Sequence, residues 1–231
     1  MRLTLLISLI VFFTVGAWSQ SFRVLVVAFD KFQFECPMPI EEIADHNQLS
    51  DPGMVYDAYA SALLEAMNAA SDSISILSLD EHTNSQLKRR LPRVYKREPI
   101  SHNGVDLKDL HESGKLKEYL NNMGADYFMV ISKYKILGKV ITSRGSWESS
   151  GFLKWSIHQV DYEVFDKQGE LVALADRFLI KPRNPRSDNY QTEGVALKDL
   201  RRDMTKLGKD LENKLKKHQK KGKAIYKSTL K

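Results

Sequence analysis

Six histidines and one cysteine are the residues from which nucleophilic, general-base or metal chemistry in this 231-residue chain would be built. The histidines are His46, His82, His102, His111, His158 and His218, and no two stand four apart as a metal-binding helix face requires. Cys36, Glu41, Glu42, Asp45 and His46 form the one segment where metal-ligand types gather. Their spacing matches no established site, so the sequence predicts no metal and no cofactor. Gly145-Ser146-Trp147 lacks the second glycine of a nucleophile elbow, and no glycine loop leads into a lysine at phosphate-loop spacing. His158 falls in a strand beside Trp155 and Tyr162, with Asp161 directed to the opposite face from Tyr162. A general base needs a partner within hydrogen-bond reach. None converges there in sequence, which predicts a surface or half-buried sheet histidine and no catalytic residue. The lone cysteine excludes an intramolecular disulfide and a thiolate zinc cluster.

Binding chemistry has more candidates. Lys88, Arg89, Arg90, Arg93, Lys96 and Arg97 alternate with Leu91, Val94 and Tyr95. Such a cluster, Tyr95 included, either docks on an acidic partner or covers a small local core. Trp147 lies in a glycine- and serine-rich loop near Phe152 and Trp155, where an exposed tryptophan would anchor a partner protein or a glycan. Lys216, Lys217, Lys220 and Lys221 open a lysine-rich end. It suits weak contact with an anionic membrane surface or an acidic partner, or else a solvated helix terminus favoured by the macrodipole. The net charge of +6 comes from that end: residues 206–231 hold ten lysines against Asp210 and Glu212, leaving residues 20–205 net acidic. An acidic body argues against a nucleic-acid module.

The elements that would position these residues begin after an export signal. Residues 4–17, TLLISLIVFFTVGA, are mostly apolar, uncharged and shorter than the roughly 20 residues of a membrane span. Ala17 and Ser19 are small and two apart, so residues 1–19 read as a signal peptide cleaved before Gln20, with an uncleaved anchor as the alternative. The predicted location is periplasmic or secreted. FRVLVVAF at 22–29 is a continuous β-branched run, as in a central strand buried on both faces. Residues 30–50 read as a polar connection. Asp51 and Pro52 start a helix that runs through Ala70, and Ile74–Leu79 form a second strand. Residues 81–103 show no sustained period and read as an exposed insertion. A short helix capped by Ser113 ends at Gly124, and a third strand spans 125–137. Residues 139–151 read as a flexible hairpin end. Phe152–Phe165 and Glu170–Ile180 flank the turn Asp166–Gly169, which predicts an antiparallel hairpin. Leu197, Leu200, Met204, Leu207, Leu211 and Leu215 mark a long amphipathic helix. The last dozen residues are expected to fray. The prediction is therefore one α/β (α+β) domain over 20–215, of three-layer type, with helices packed on a mixed sheet of about five strands in the order βαβαβββα, then a lysine-rich tail at 216–231.

This order resembles a family of bacterial envelope domains. Its members include the N-terminal domain of the Tol-Pal translocation protein, the curli secretion lipoprotein and lipoprotein activators of penicillin-binding proteins. The matching stretches are FRVLVVAFDKF, YASALLEAMNAASDSISILSLDE, LKEYLNNMGADYFMVISKYKI, VDYEVFDKQGELVALADRF and LRRDMTKLGKDLENKLKK, with Gly124-Ala125-Asp126-Tyr127 opening a strand. The connections after the first two strands are longer than the family's usual ones, and no lipobox cysteine follows the apolar run. The resemblance implies an envelope protein that binds other envelope proteins or assembles, with no catalytic residues to carry over. The alternatives are a secreted hydrolase with a site in loops 30–50 and 139–151, and a peripheral membrane protein held by its basic tail.

Overall fold

A computed structural model describes residues 21–142, 152–181 and 194–226. The leader at 1–19, the loop bearing Trp147 and the last five residues lie outside the described residues.

The chain starts with β1 (Phe22–Val27), continues through β2 (Phe34–Glu35) and α1 (Ile40–His46), and reaches α2 (Val55–Asn68) by a 3-10 turn at Pro52–Met54. Then come β3 (Ile74–Ser78), α3 (Glu81–Arg89), β4 (Arg93–Lys96), β5 (His102–Val105), α4 (Lys108–Glu112) and α5 (Lys115–Asn122). The second half holds β6 (Tyr127–Thr142), β7 (Phe152–Phe165), β8 (Leu171–Ile180), α6 (Leu197–Lys221) and β9 (Ile225–Tyr226). The mixed sheet has seven strands in the order β3-β1-β6-β7-β8-β9, with β2 also on β6, and β4 pairs β5 in a separate two-stranded sheet. β1 lies parallel to both β3 and β6, whereas β6, β7 and β8 run antiparallel in turn. The α/β class and mixed sheet expected from the sequence are therefore present, with seven strands in place of about five. The two-residue strands β2 and β9 are too short to leave a period in the sequence.

β1 is buried on both faces, which is why its residues are apolar without alternation. Phe22, Val24 and Val26 join the core under α2 and α6, while Leu25 and Val27 join the core under α3, α4 and α5. Burying each of these side chains contributes about 1.5–3 kcal/mol relative to exposure. The crossover leaving β1 for β3 and the one leaving β3 for β6 thus run in opposite directions, with helices on opposite faces. On the first face α6 crosses α2 closely at Gly208. A Cβ there would sit 2.5 Å from the Met67 carbonyl oxygen and 2.6 Å from the Ala70 Cβ.

Four local expectations are corrected. Residues 81–103 are not an exposed loop: they form α3 and the β4–β5 hairpin, with Leu87 and Leu91 buried. Asp80 caps α3 by accepting from the Thr83 N–H at 3.0 Å. A helix that buries one leucine shows no apolar period. Residues 30–50 are not only connection, since they contain β2 and α1. Ser113 closes α4, and it is Gly114, at φ 71°, that opens α5. Within the described residues, up to Tyr226, the chain also does not fray from Lys220. α6 continues through Lys221, ends at Gly222 in the left-handed region, and leads into β9, which pairs with β8.

Candidate functional site

The site begins where β1 loses its register. Val27 pairs with Val130 on β6, and Phe34 pairs with Tyr134. The first chain advances seven residues while β6 advances four, so a three-residue excess must leave the sheet as a turn. Asp30 locks that turn. Its carboxylate accepts from the Phe32 N–H at 2.8 Å, and its carbonyl accepts from the Gln33 and Phe34 N–H groups at 3.0 and 3.1 Å. The Gln33 side chain accepts in return from the Asp30 N–H at 2.8 Å. On either side of the turn, Phe29 and Phe34 stack on the buried Tyr134 ring with centroids 4.6 and 5.5 Å apart. Phe32 is left 76% exposed, the most exposed large hydrophobic side chain among the described residues.

The turn forms one wall of a cavity of ≈ 450 Å³ at the carboxyl end of β1. Gly53, Tyr56 and Asp57, at the start of α2, form the second wall, and Glu81, Asn84, Ser85, Lys88 and Arg89 of α3 form the third. This is the place where crossovers diverge to opposite faces, and open α/β sheets characteristically bind ligands in that crevice. Met54, 48% exposed, adjoins the second wall. Lys88 is the least ordinary group. Only 12% of its side chain is exposed, and burial pushes its pKa down against the pull of Asp30 and Asp57. Its nearest carboxylate oxygen, Asp30 Oδ2, stands 3.8 Å away. Among the described residues, Asn84 Oδ1 is a buried atom with no hydrogen-bond partner.

The residues singled out in the sequence divide by position. Lys88 and Arg89 line the cavity. Arg90 and Arg97 are exposed, as is Tyr95, at 65%. Arg93 and Lys96 hold structure: the Arg93 guanidinium donates to the Ser132 carbonyl at 2.7 Å, and the Lys96 ammonium donates to Glu163 at 2.8 Å. On α6, Lys216 pairs with Glu212, whereas Lys217, Lys220 and Lys221 are exposed where positive charge suits the helix C-terminus. Asp45 and His46 are exposed at the end of α1, and Cys36 is half-buried with its thiol pKa pushed up by burial. No group of three or more metal-ligating side chains occurs among the described residues. Nor is any helix among them long and apolar enough to cross a membrane.

Among the described residues, buried polar clusters elsewhere tie elements together, and two of them hold histidines. Glu163 on β7 accepts from Lys96, from His102 Nε2 at 2.9 Å and from the Val105 N–H at 2.7 Å, which clips the β4–β5 hairpin to the sheet. Burial pushes the Glu163 pKa up, but those hydrogen bonds outweigh it and the net shift is downward. The same bond to Glu163 raises His102. Gly104 is required at this clip, because a Cβ there would fall 2.5 Å from a Glu163 oxygen. The second cluster centres on His158, which is fully buried, contrary to the surface or half-buried position expected for it. Its Nε2–H donates to the Gly194 carbonyl at 2.6 Å, so Nδ1 accepts from the Tyr134 hydroxyl at 2.9 Å. Burial pushes its pKa down to about 4. Tyr59 and Asn47 both donate to the next carbonyl, Val195, and Asn47 accepts from the Leu197 N–H at 2.8 Å. His158 thus helps fix the start of α6, and both ring nitrogens are used in doing so.

The sequence reading missed Phe32 and Asn84. A signal for Phe32 was present in FDKFQF at 29–34: three phenylalanines, of which the outer two, five apart, can share one face of the sheet only if the chain bulges between them. Asn84 gave no signal.

No family model matches the chain, and no curated protein matches it. Among solved structures, it is similar to a Helicobacter pylori protein described as a proposed neuraminyllactose-binding hemagglutinin homolog. Identity is 12%, coverage is 88% of this chain and 92% of that one, and the TM-score is 0.36. It is also similar to the hypothetical protein CT253 from Chlamydia trachomatis, at 11% identity, 86% and 95% coverage and a TM-score of 0.28. Likenesses at this level assign no function.

Proposed function

We propose that this chain is an exported, non-enzymatic protein of the bacterial cell envelope, a binding or assembly module that docks another protein on the cleft at the carboxyl end of β1. The observation that carries this reading is Phe32, 76% exposed on a turn held by four hydrogen bonds and two buried aromatic neighbours. A large apolar side chain that is exposed yet already ordered binds with little further loss of entropy, which is the property of an interface anchor. The apolar leader and the resemblance of the sequence to envelope domains support this compartment. Lys31, Lys88 and Arg89 in the cleft are matched by Asp30, Asp57 and Glu81, so the cleft suits a partner surface of mixed charge.

The test is capture from envelope extracts on the immobilised chain, with Phe32→Ala and Tyr95→Ala as matched variants. A specific partner is expected to be retained by the wild type and by Tyr95→Ala and lost with Phe32→Ala, whose circular dichroism stays unchanged. Retention of the same partner by Phe32→Ala would overturn docking at this cleft.

A further inference from the structure

We propose that the outer face of α6 is a membrane-contact surface, which holds the protein on anionic phospholipid headgroups independently of the cleft. The positions of this helix that point away from the core recur at spacings of three and four: Lys198, Arg202, Thr205, Lys209, Asn213, Lys216 and Lys220. Thr205 is half-buried and the others are exposed; five of the seven are cations and none is an acid. At 1.5 Å per residue this line is about 33 Å long. Lys206, Lys217 and Lys221 flank it and are exposed as well. The acids of the helix whose side chains are described, Asp203, Asp210 and Glu212, stand to the sides. They are only 4%, 26% and 13% exposed, and each is bound to a lysine of the same helix. Read from sequence, the positive charge belongs to the last turns. Because residues 197–221 form one helix, it runs along the whole face.

The opposite face of α6, with Leu200, Met204, Leu207, Leu211 and Leu215, is buried in the core. Contact therefore inserts no apolar side chain and is electrostatic. The stripe is the crest of a convex helix, which meets a flat surface better than a single polymer strand. It also carries no aromatic side chain on which bases would stack. Charge asymmetry sets the orientation, since residues 20–205 are net acidic even with Lys198, Arg201 and Arg202 counted among them. The leader points to lipid. Ser21, the first described residue, lines a cavity of ≈ 360 Å³ together with Phe22, His218 and Gln219. Residues 1–20, with the apolar run at 4–17, therefore join the body beside the lysine-rich end of α6. A lipid surface accounts for both the stripe and the place where the leader joins, and an acidic protein accounts for the stripe alone. The cleft opens at the other end of β1, past Val27, and stays free while α6 is in contact.

The test is flotation of the full chain with vesicles of phosphatidylcholine, alone or mixed with phosphatidylglycerol; the former read any binding by the leader. The chain is expected to prefer the anionic vesicles and to lose that preference as sodium chloride is raised, because exposed charges are screened. The triple variant Arg202→Gln, Lys209→Gln, Lys220→Gln is expected to bind them more weakly by on the order of a hundredfold, the scale of three surface cations. Arg90→Gln, Arg97→Gln, Lys117→Gln removes the same charge from exposed positions on the other side of the sheet and is expected to weaken binding far less. Equal binding to the two kinds of vesicle, or equal loss in the two triple variants, overturns the proposal. A stripe variant that floats like the wild type but loses a protein captured from envelope extracts also overturns it, and assigns the stripe to an acidic protein. Phe32→Ala is expected to float like the wild type, and its failure to do so would overturn independence from the cleft.

Discussion

His158 and His102 respond to pH with opposite sign. His158 is neutral when folded, with its pKa pushed down to about 4 from an ordinary 6.5. Between those values the unfolded chain binds the extra proton, so stability is lost as pH falls from 6.5 to 4, by roughly 3 kcal/mol. His102 is raised by Glu163. Its contribution is fully present below the ordinary histidine range and is lost as pH rises through the folded value. Urea unfolding across pH 4–8 should show His158→Gln flattening the acid limb and His102→Gln flattening the upper one. Replacing Glu163 by Gln leaves Lys96 and His102 without their shared carboxylate. The expected loss is about 2–3 kcal/mol, below that of a fully buried pair because Lys96 keeps some solvent contact. Phe32→Ala should change stability by less than about 0.5 kcal/mol, as at an exposed position. None of this was legible at the residue level in sequence. His158 and Glu163 sit in an alternating strand where polar residues read as solvent-facing, yet each faces a buried partner brought in from far along the chain.

At the scale of elements, strong apolar patterns were legible and weak ones were not. β1, the β7–β8 hairpin and the start of α6 follow from runs of valine, alternation, and leucines at spacings of three and four. The β4–β5 hairpin does not, because its buried face rests on the Glu163 carboxylate and leaves no apolar period to read. The contact of α6 with α2 supplies a direct test. Gly208→Val would drive a side chain into the Met67 carbonyl, and the helices can separate only by opening the core. A loss of about 1–3 kcal/mol in chemical denaturation is expected. Gly138, where a Cβ would meet nothing within 4 Å, provides a matched substitution on an exposed face, expected to change stability far less.

At the scale of the whole molecule, the proposed function requires both export and a docking face. Intact-mass analysis of the chain purified from an envelope fraction should find Gln20 as the first residue, and a retained leader would contradict cleavage after Ser19. The cleft lies at the carboxyl end of the parallel strands, where α2 and α3 diverge to opposite faces, and the loop emerging from β1 carries the anchor into it. Docking there is the central claim, and site-specific photocrosslinking in living cells tests it most directly. A benzophenone side chain at position 32 should yield one discrete adduct with a partner, and the same group at Tyr95 or Tyr226 should not. Adducts from Tyr95 and Tyr226 with the same partner at equal yield, or no adduct at position 32, would contradict it.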